Sequence, residues 1–201
     1  MTDQSPLGKI EQLAMGFWDG PPGRMLQLGN KLGRQYADWF TAAGWTVVVV
    51  DLNGCDGALP IDLTVPGALE HLGKFDMVTN FGTTEHVPEQ DECWASIHKA
   101  VAVGGMLACI TPLPGHWERH GRFYPTMAWY DAFARQNGYK SVFVCAVDRF
   151  RGVRNLFMEV CAVMRKKVEN PVFDIPAQEL MWVNPRGKKV GSYDSATGVG
   201  Q

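Results

Sequence analysis

Two glycine- and carboxylate-bearing positions, Gly29 and Asp51, and three histidines carry most of the chemistry this sequence can offer. Gly29 stands at the end of an apolar run in Gln27-Leu28-Gly29-Asn30-Lys31-Leu32-Gly33, where a residue without Cβ allows a tight turn and lets a ligand approach the backbone. The helix expected after it offers free backbone N–H groups. Asp51 follows 22 residues later at the end of a β-branched run, with Leu52 beside it. A carboxylate in that place can accept two hydrogen bonds from adjacent ribose hydroxyls, so the pair points to a nucleoside-containing cofactor. His116 and His120 lie in Gly115-His-Trp-Glu-Arg-His-Gly-Arg-Phe-Tyr124, and His86 lies in Thr84-Glu-His-Val87. These imidazoles are the candidate general bases. The four-residue separation of His116 and His120 suits a metal if the segment is helical, but Pro114, Gly115 and Gly121 argue against a helix, and no metal is expected.

The elements that position these residues follow from hydrophobic periodicity. Apolar or β-branched runs over 25–28, 46–50, 57–63, 75–80, 106–110, 141–147 and 156–164 read as strands. The run at 46–50 lacks in/out alternation, which marks a strand covered on both faces in a parallel sheet. Three- and four-residue spacing predicts helices over 32–43, 66–72, 88–103 and 126–137, with Gly104-Gly105 ending the third and Thr126 capping the fourth. The last two strands are too close for a crossover helix and must pair antiparallel. The fold class is therefore α/β: a doubly wound, mostly parallel seven-stranded sheet ending in an antiparallel hairpin. Residues 1–167 form one domain, and 168–201 form a C-terminal extension with apolar residues up to about 183 that favour packing and a Gly/Ser-rich end.

In such sheets ligands bind beyond the carboxyl ends of the strands. A dinucleotide wants G-x-G-x-x-G there, but Lys31 occupies the second glycine position and crowds a pyrophosphate. S-adenosylmethionine has no phosphate and tolerates a less open loop. The run Phe75-Asp-Met-Val-Thr-Asn-Phe-Gly-Thr-Thr-Glu-His-Val87, then a helix, then Val103-Gly-Gly-Met-Leu-Ala-Cys-Ile-Thr-Pro112 resembles the second half of a class I S-adenosylmethionine-dependent methyltransferase, and the resemblance covers about residues 24–165. It implies a Rossmann-like fold and S-adenosyl-L-methionine as cofactor. It also implies that Gly29 faces the methionine moiety, Asp51 with Leu52 holds the ribose, Asp62 and Leu63 meet the adenine, and Asn80 and Phe81 line the sulfonium end. Gln27 stands where the family carries an acidic residue; it can accept a hydrogen bond but brings no charge.

Topology sends the loop 148–154 to the same face, so Arg149, Arg151 and Arg154 would join Arg119, Arg122 and Tyr124 at the acceptor entrance, which suits an anionic small molecule such as a sugar derivative or another metabolite. The expected activity is methyl transfer to such an acceptor. The rival readings are a nicotinamide-dependent oxidoreductase and a catalytically silent subunit used for binding or oligomerisation.

Composition narrows the partners. With 19 Lys+Arg against 21 Asp+Glu, the net charge is −2 and gives no sequence-independent grip on a polyphosphate, so nucleic acid is disfavoured. No apolar run approaches the ~20 residues of a membrane span. The five cysteines form no C-x-x-C pair and read as reduced core thiols, which suits the cytoplasm. The C-terminal extension leaves room for a homo-oligomer.

Overall fold

The computed structural model describes residues 8–30, 35–117, 120–149, 157–169 and 172–187. Its centre is a seven-stranded sheet of β1 (Arg24–Leu28), β2 (Thr46–Asp51), β3 (Leu59–Pro60), β4 (Phe75–Phe81), β5 (Val101–Pro112), β7 (Tyr139–Asp148) and β8 (Met158–Lys166), in the order β3-β2-β1-β4-β5-β8-β7. The first five pair in parallel, and β8 runs antiparallel to both β5 and β7. This is the sheet read from the sequence. Register brings Leu28 level with Val50 on one side and Asn80 on the other, so the carboxyl ends of β1, β2 and β4 converge.

Each sheet face has its own core. Met25, Leu26, Met77 and Val78, consecutive pairs in the central strands, are fully buried because both faces are covered. On one face α1 (Lys9–Met15) and α2 (Gln35–Ala42) pack Ile10, Ala14 and Phe40 against Met25, Met77 and Met106. On the other, α3 (Gln90–Ala100) and α4 (Met127–Gln136) bring together Trp94, Trp129, Tyr130 and Phe133. Thr126 caps α4 by accepting from the Trp129 N–H at 3.1 Å. Cys93, Cys109 and Cys161 are buried core thiols, and burial holds each above the usual thiol range.

Several elements differ from the expectation. The stretch 66–72 holds turns and a 3-10 turn at Glu70–Leu72 in place of an α-helix, because Gly67 takes a φ of +69°. β3 is two residues long, bounded by Gly57 at φ +79° and by Pro60, which has no N–H to extend a ladder. Gly104 and Gly105 do not end α3, which stops at Ala100; they form an irregularity inside β5, between the pairings Phe75↔Val101 and Met77↔Met106. α1 and a small antiparallel sheet of β6 (Phe123–Pro125) with β9 (Met181–Val183) went unread. Seven and three residues are too few to show a period.

The C-terminal extension folds back on the body. Asn137 and Asp174 exchange hydrogen bonds at 2.8 and 2.9 Å, and Phe173, Ile175, Leu180 and Met181 pack against the α3/α4 core. Beside them the fully buried Lys166 donates to the carbonyls of His98 and Val101 at 3.0 and 3.2 Å, which ties off the carboxyl end of α3. Lys166 also pairs with the Glu169 carboxylate at 3.2 Å, so Lys166→Met should cost about 1–2 kcal/mol: it strands two buried carbonyls and breaks that ion pair while removing the desolvation of the ammonium. Denaturant unfolding measures this, and an unchanged midpoint would show that the cap contributes nothing.

Candidate active site

The cofactor candidates gather at the converged strand ends. Gly29 has a φ of +78°, and its N–H reaches the Val50 carbonyl at 2.8 Å, closing β1 onto β2. The space a Cβ would take at Gly29 is filled by the Thr83 hydroxyl, which donates to the Leu28 carbonyl at 2.8 Å. Thus glycine is required here by the loop after β4 as well as by backbone conformation. The Asp51 carboxylate accepts from the Asn30 N–H at 2.8 Å and the Asn53 N–H at 3.2 Å. A carboxylate offers about four acceptor positions, so two remain. Gln27 donates to the Gly29 carbonyl at 3.0 Å, and its Oε1 is buried with no hydrogen-bond partner among the described residues. Leu52 leaves 54% of its surface exposed beside Asp51, an apolar plate at a polar edge.

The other cofactor candidates divide. Asp62 is exposed after β3, where its Oδ1 accepts from the N–H and hydroxyl of Thr64, and Leu63 is buried in the core. Asn80 is fully buried, and its amide is spent on the following turn: Nδ2 donates to Thr84 Oγ1 at 2.8 Å, and Oδ1 accepts from the Thr84 N–H at 3.1 Å. Its side chain shapes the loop, leaving the backbone of Asn80 and the half-buried Phe81 to line the strand end.

The histidines meet over this loop. The 3-10 turn Thr84–His86 follows β4 and carries Glu85, which is 1% exposed. Residues 113–117 and 120–122 are irregular, as Pro114, Gly115 and Gly121 require, and they are latched onto this turn by the Arg122 N–H, which donates to the Glu85 carbonyl at 2.7 Å. Gly121 lies so close to the Glu85 side chain that a Cβ would collide with it. His120 is thereby set with Nε2 3.4 Å from Glu85 Oε1, and His86 Nε2 is 3.9 Å from the same oxygen. Burial pushes the Glu85 carboxyl up, but His120 and His86 beside it outweigh that, so it stays below the ordinary carboxylate range. His116 is half-buried and stands outside this group.

The extension supports the lid. Asn184 is buried: its N–H donates to the Arg122 carbonyl at 2.7 Å, and its amide donates to the Gly121 carbonyl and the Tyr124 hydroxyl, both at 3.1 Å. Tyr124, fully buried, donates in turn to the Trp117 carbonyl at 2.9 Å. Its hydroxyl is therefore a strut of the lid, where the sequence suggested an acceptor contact. The rest of that basic entrance is partly outside the described residues, which do not include Lys31, Arg119, Arg151 or Arg154.

Arg149 is described, and its charge is already answered. It forms two 2.8 Å bonds from Nε to the Glu159 carboxylate and a third from Nη2 to Glu11 of α1. Two carboxylates around one guanidinium leave a surplus negative charge, which does not favour an anionic acceptor at this point. Burial pushes Tyr36 up to about 12, and Glu11 adds to that effect. Burial also pushes Glu159 up to about 7 against the pull of Arg149. Below about pH 4.5 Glu159 is protonated in folded and unfolded chains alike, whereas between there and about 7 only the folded chain keeps the proton. This group's contribution to stability is therefore lost as pH rises through that window. Glu159→Gln should flatten the fall in Tm between pH 4.5 and 7; parallel curves for both proteins would contradict it.

Glu85, Thr83, Gly121, Asn184 and the Glu11–Glu159 pair carry weight that sequence reasoning did not give them. Only Glu85 had a signal, its place in Thr84-Glu-His-Val87; the others depend on contacts that join distant segments. A recess of about 420 Å³ beside the lid, walled by Gln90, Phe123, Trp129, Ile175 and Met181, contains none of the candidate residues.

A family profile described as a methyltransferase domain matches residues 7–143, more than half of the chain. No curated protein sequence matches. The chain is similar in fold to Burkholderia thailandensis 1,6-didemethyltoxoflavin-N1-methyltransferase with bound 1,6-didemethyltoxoflavin and S-adenosylhomocysteine, with 17% identity, 79% of this chain and 77% of that one covered, and a TM-score of 0.57. It is also similar to an S-adenosylmethionine-dependent methyltransferase from Mesorhizobium loti, with 13% identity, 77% and 96% covered, and a TM-score of 0.55. The PH0226 protein from Pyrococcus horikoshii OT3 gives 12% identity, 79% and 88% covered, and a TM-score of 0.54. The sheet order, the antiparallel end and the matched domain agree: the chain belongs to the methyltransferase-domain family, the class I S-adenosylmethionine-dependent methyltransferases.

Proposed function

We propose that this chain moves the methyl group of S-adenosylmethionine to a nucleophilic oxygen or nitrogen of a small-molecule acceptor. The observation that carries the reading is the pairing, across the Gly29 turn, of the Asp51 carboxylate with the buried, unpartnered Gln27 Oε1. These groups fit an adenosyl cofactor: the spare acceptor positions of Asp51 suit the two ribose hydroxyls, and Gln27 Oε1 suits the amino group of the methionine part. Leu52 supplies apolar cover for the adenine, with Asp62 and Leu63 at its edge. When bound, the cofactor supplies an electrophilic methyl carbon on a sulfonium.

The protein's own work is alignment, exclusion of water and removal of a proton. Asn80 and Thr83 fix the backbone turn where the methyl donor ends. The lid residues 120–124, held by Asn184, close the acceptor side, and correct alignment of nucleophile and methyl is the larger part of such catalysis. The Glu85–His86–His120 group takes the acceptor's proton. An anionic acceptor is supported by Arg122, whose Nε is buried without a hydrogen-bond partner among the described residues and whose guanidinium lies 5.8 Å from the Phe123 ring centroid. A small acceptor is supported by the closely fitted lid and by the absence of net positive charge.

Thermal melts with ligand test this reading. S-adenosylhomocysteine at about a hundred times its Kd should raise Tm by about 5–10 °C, and NAD(H) should not. A response to NAD(H) alone would favour the oxidoreductase, and none to either would favour a silent subunit. In a series of acceptors differing only in charge, anionic members should turn over fastest; equal rates would remove the role given to Arg122.

A further inference from the structure

We infer that Glu85, His86 and His120 form a binding site for one divalent ion of the zinc class, which the sequence alone did not lead us to expect. The three ligand atoms lie within 4.8 Å of one another. Glu85 Oε1 is 3.4 Å from His120 Nε2 and 3.9 Å from His86 Nε2. Those separations are too long for charge-assisted hydrogen bonds, which run at about 2.7–2.9 Å. The shorter matches the edge of a tetrahedron with metal–ligand bonds of about 2.0–2.1 Å, which is about 3.4 Å, and the longer lies about 0.5 Å beyond it.

The carboxylate itself calls for a partner. Glu85 is 1% exposed, and neither of its oxygens makes a hydrogen bond among the described residues. The two imidazoles answer its charge only at 3.4 and 3.9 Å, and a cation held between all three would answer it at bonding distance. The site is also built from both sides. Asn80 fixes the turn that carries Glu85 and His86, while Arg122, Gly121 and Asn184 press His120 onto it. Both imidazoles keep 22–23% of their side-chain surface exposed, which leaves a way in.

Two nitrogens and one oxygen select a borderline ion such as Zn²⁺ or Co²⁺ over Mg²⁺ or Ca²⁺, which prefer oxygen. Three protein ligands leave one position open, the pattern of sites that act on a substrate. That position would take an oxygen of the acceptor, where the ion, holding the imidazoles as ligands, would replace them as base by easing loss of the acceptor's proton to solvent; this use rests on the methyltransferase reading, whereas binding of the ion does not.

The test uses the untagged full chain, stripped with a chelator and titrated with Co²⁺. The expected result is one equivalent bound, with visible d–d absorption of a tetrahedral ion that Zn²⁺ displaces. Glu85→Gln and His120→Asn should each weaken Co²⁺ binding at least tenfold, while His116→Ala should leave it unchanged. No absorption with the unsubstituted chain, or equal affinity in Glu85→Gln and His120→Asn, overturns the inference. S-adenosylhomocysteine binding measured on the same samples separates the two claims: retained without Co²⁺ binding, it overturns the metal site alone, and lost from the unsubstituted chain, it overturns the cofactor reading.

Discussion

Alanine at position 51 is expected to weaken S-adenosylhomocysteine binding by about 100-fold or more, measured by titration calorimetry. Hydrogen bonds to a charged group are worth roughly 1.5–3 kcal/mol each, and the spare acceptor positions of Asp51 are assigned two of them. The same carboxylate receives the N–H groups of Asn30 and Asn53, so Asp51→Ala also loosens the turn after β1. Asp51→Asn separates the roles: it keeps an oxygen for the Asn30 N–H and gives up only the longer Asn53 contact, so it should lower Tm less than Asp51→Ala does and should still weaken the ligand about tenfold. Equal affinities in all three proteins would mean that the ribose is not held here.

The second large effect belongs to the lid. Asn184→Ala should lower kcat by about 10–100-fold while leaving S-adenosylhomocysteine affinity within about twofold. Asn184 is 3% exposed and ties β9's end to Gly121, Arg122 and Tyr124. Through Gly121 and Arg122 it holds His120 against Glu85, yet it touches none of the cofactor candidates. A variant that lost cofactor affinity and turnover together would show general unfolding instead, and unchanged turnover would show that the lid position is held without it.

The sheet was legible because central strands announce themselves. Val47–Val50 and the buried runs of β1 and β4 have no polar face to hide, and the short link before β8 forces an antiparallel pair. The convergence of Gly29 and Asp51 was legible for the same reason, since both sit at strand ends whose register follows from the topology. The acceptor side was not. His120 meets Glu85 only because Gly121 has no side chain and Asn184, more than sixty residues on, pulls the lid inward. No periodicity encodes such a contact. Arg149 and Tyr124 were placed at the acceptor entrance because loops beyond strand ends usually carry function; Glu11 from an unread helix and Asn184 from the extension engage them here. The short helix proposed for 66–72 failed where Gly67 turned the chain left-handed.

A crystal structure of the protein soaked with S-adenosylhomocysteine is the most direct measurement of the whole account. The ribose hydroxyls should lie within hydrogen-bond distance of the Asp51 carboxylate, with the methionine amino group at Gln27 Oε1 and the sulfur pointing toward the lid that carries His120. A nucleoside bound away from the ends of β1 and β2, or electron density for the ligand nowhere in the cleft, would contradict it.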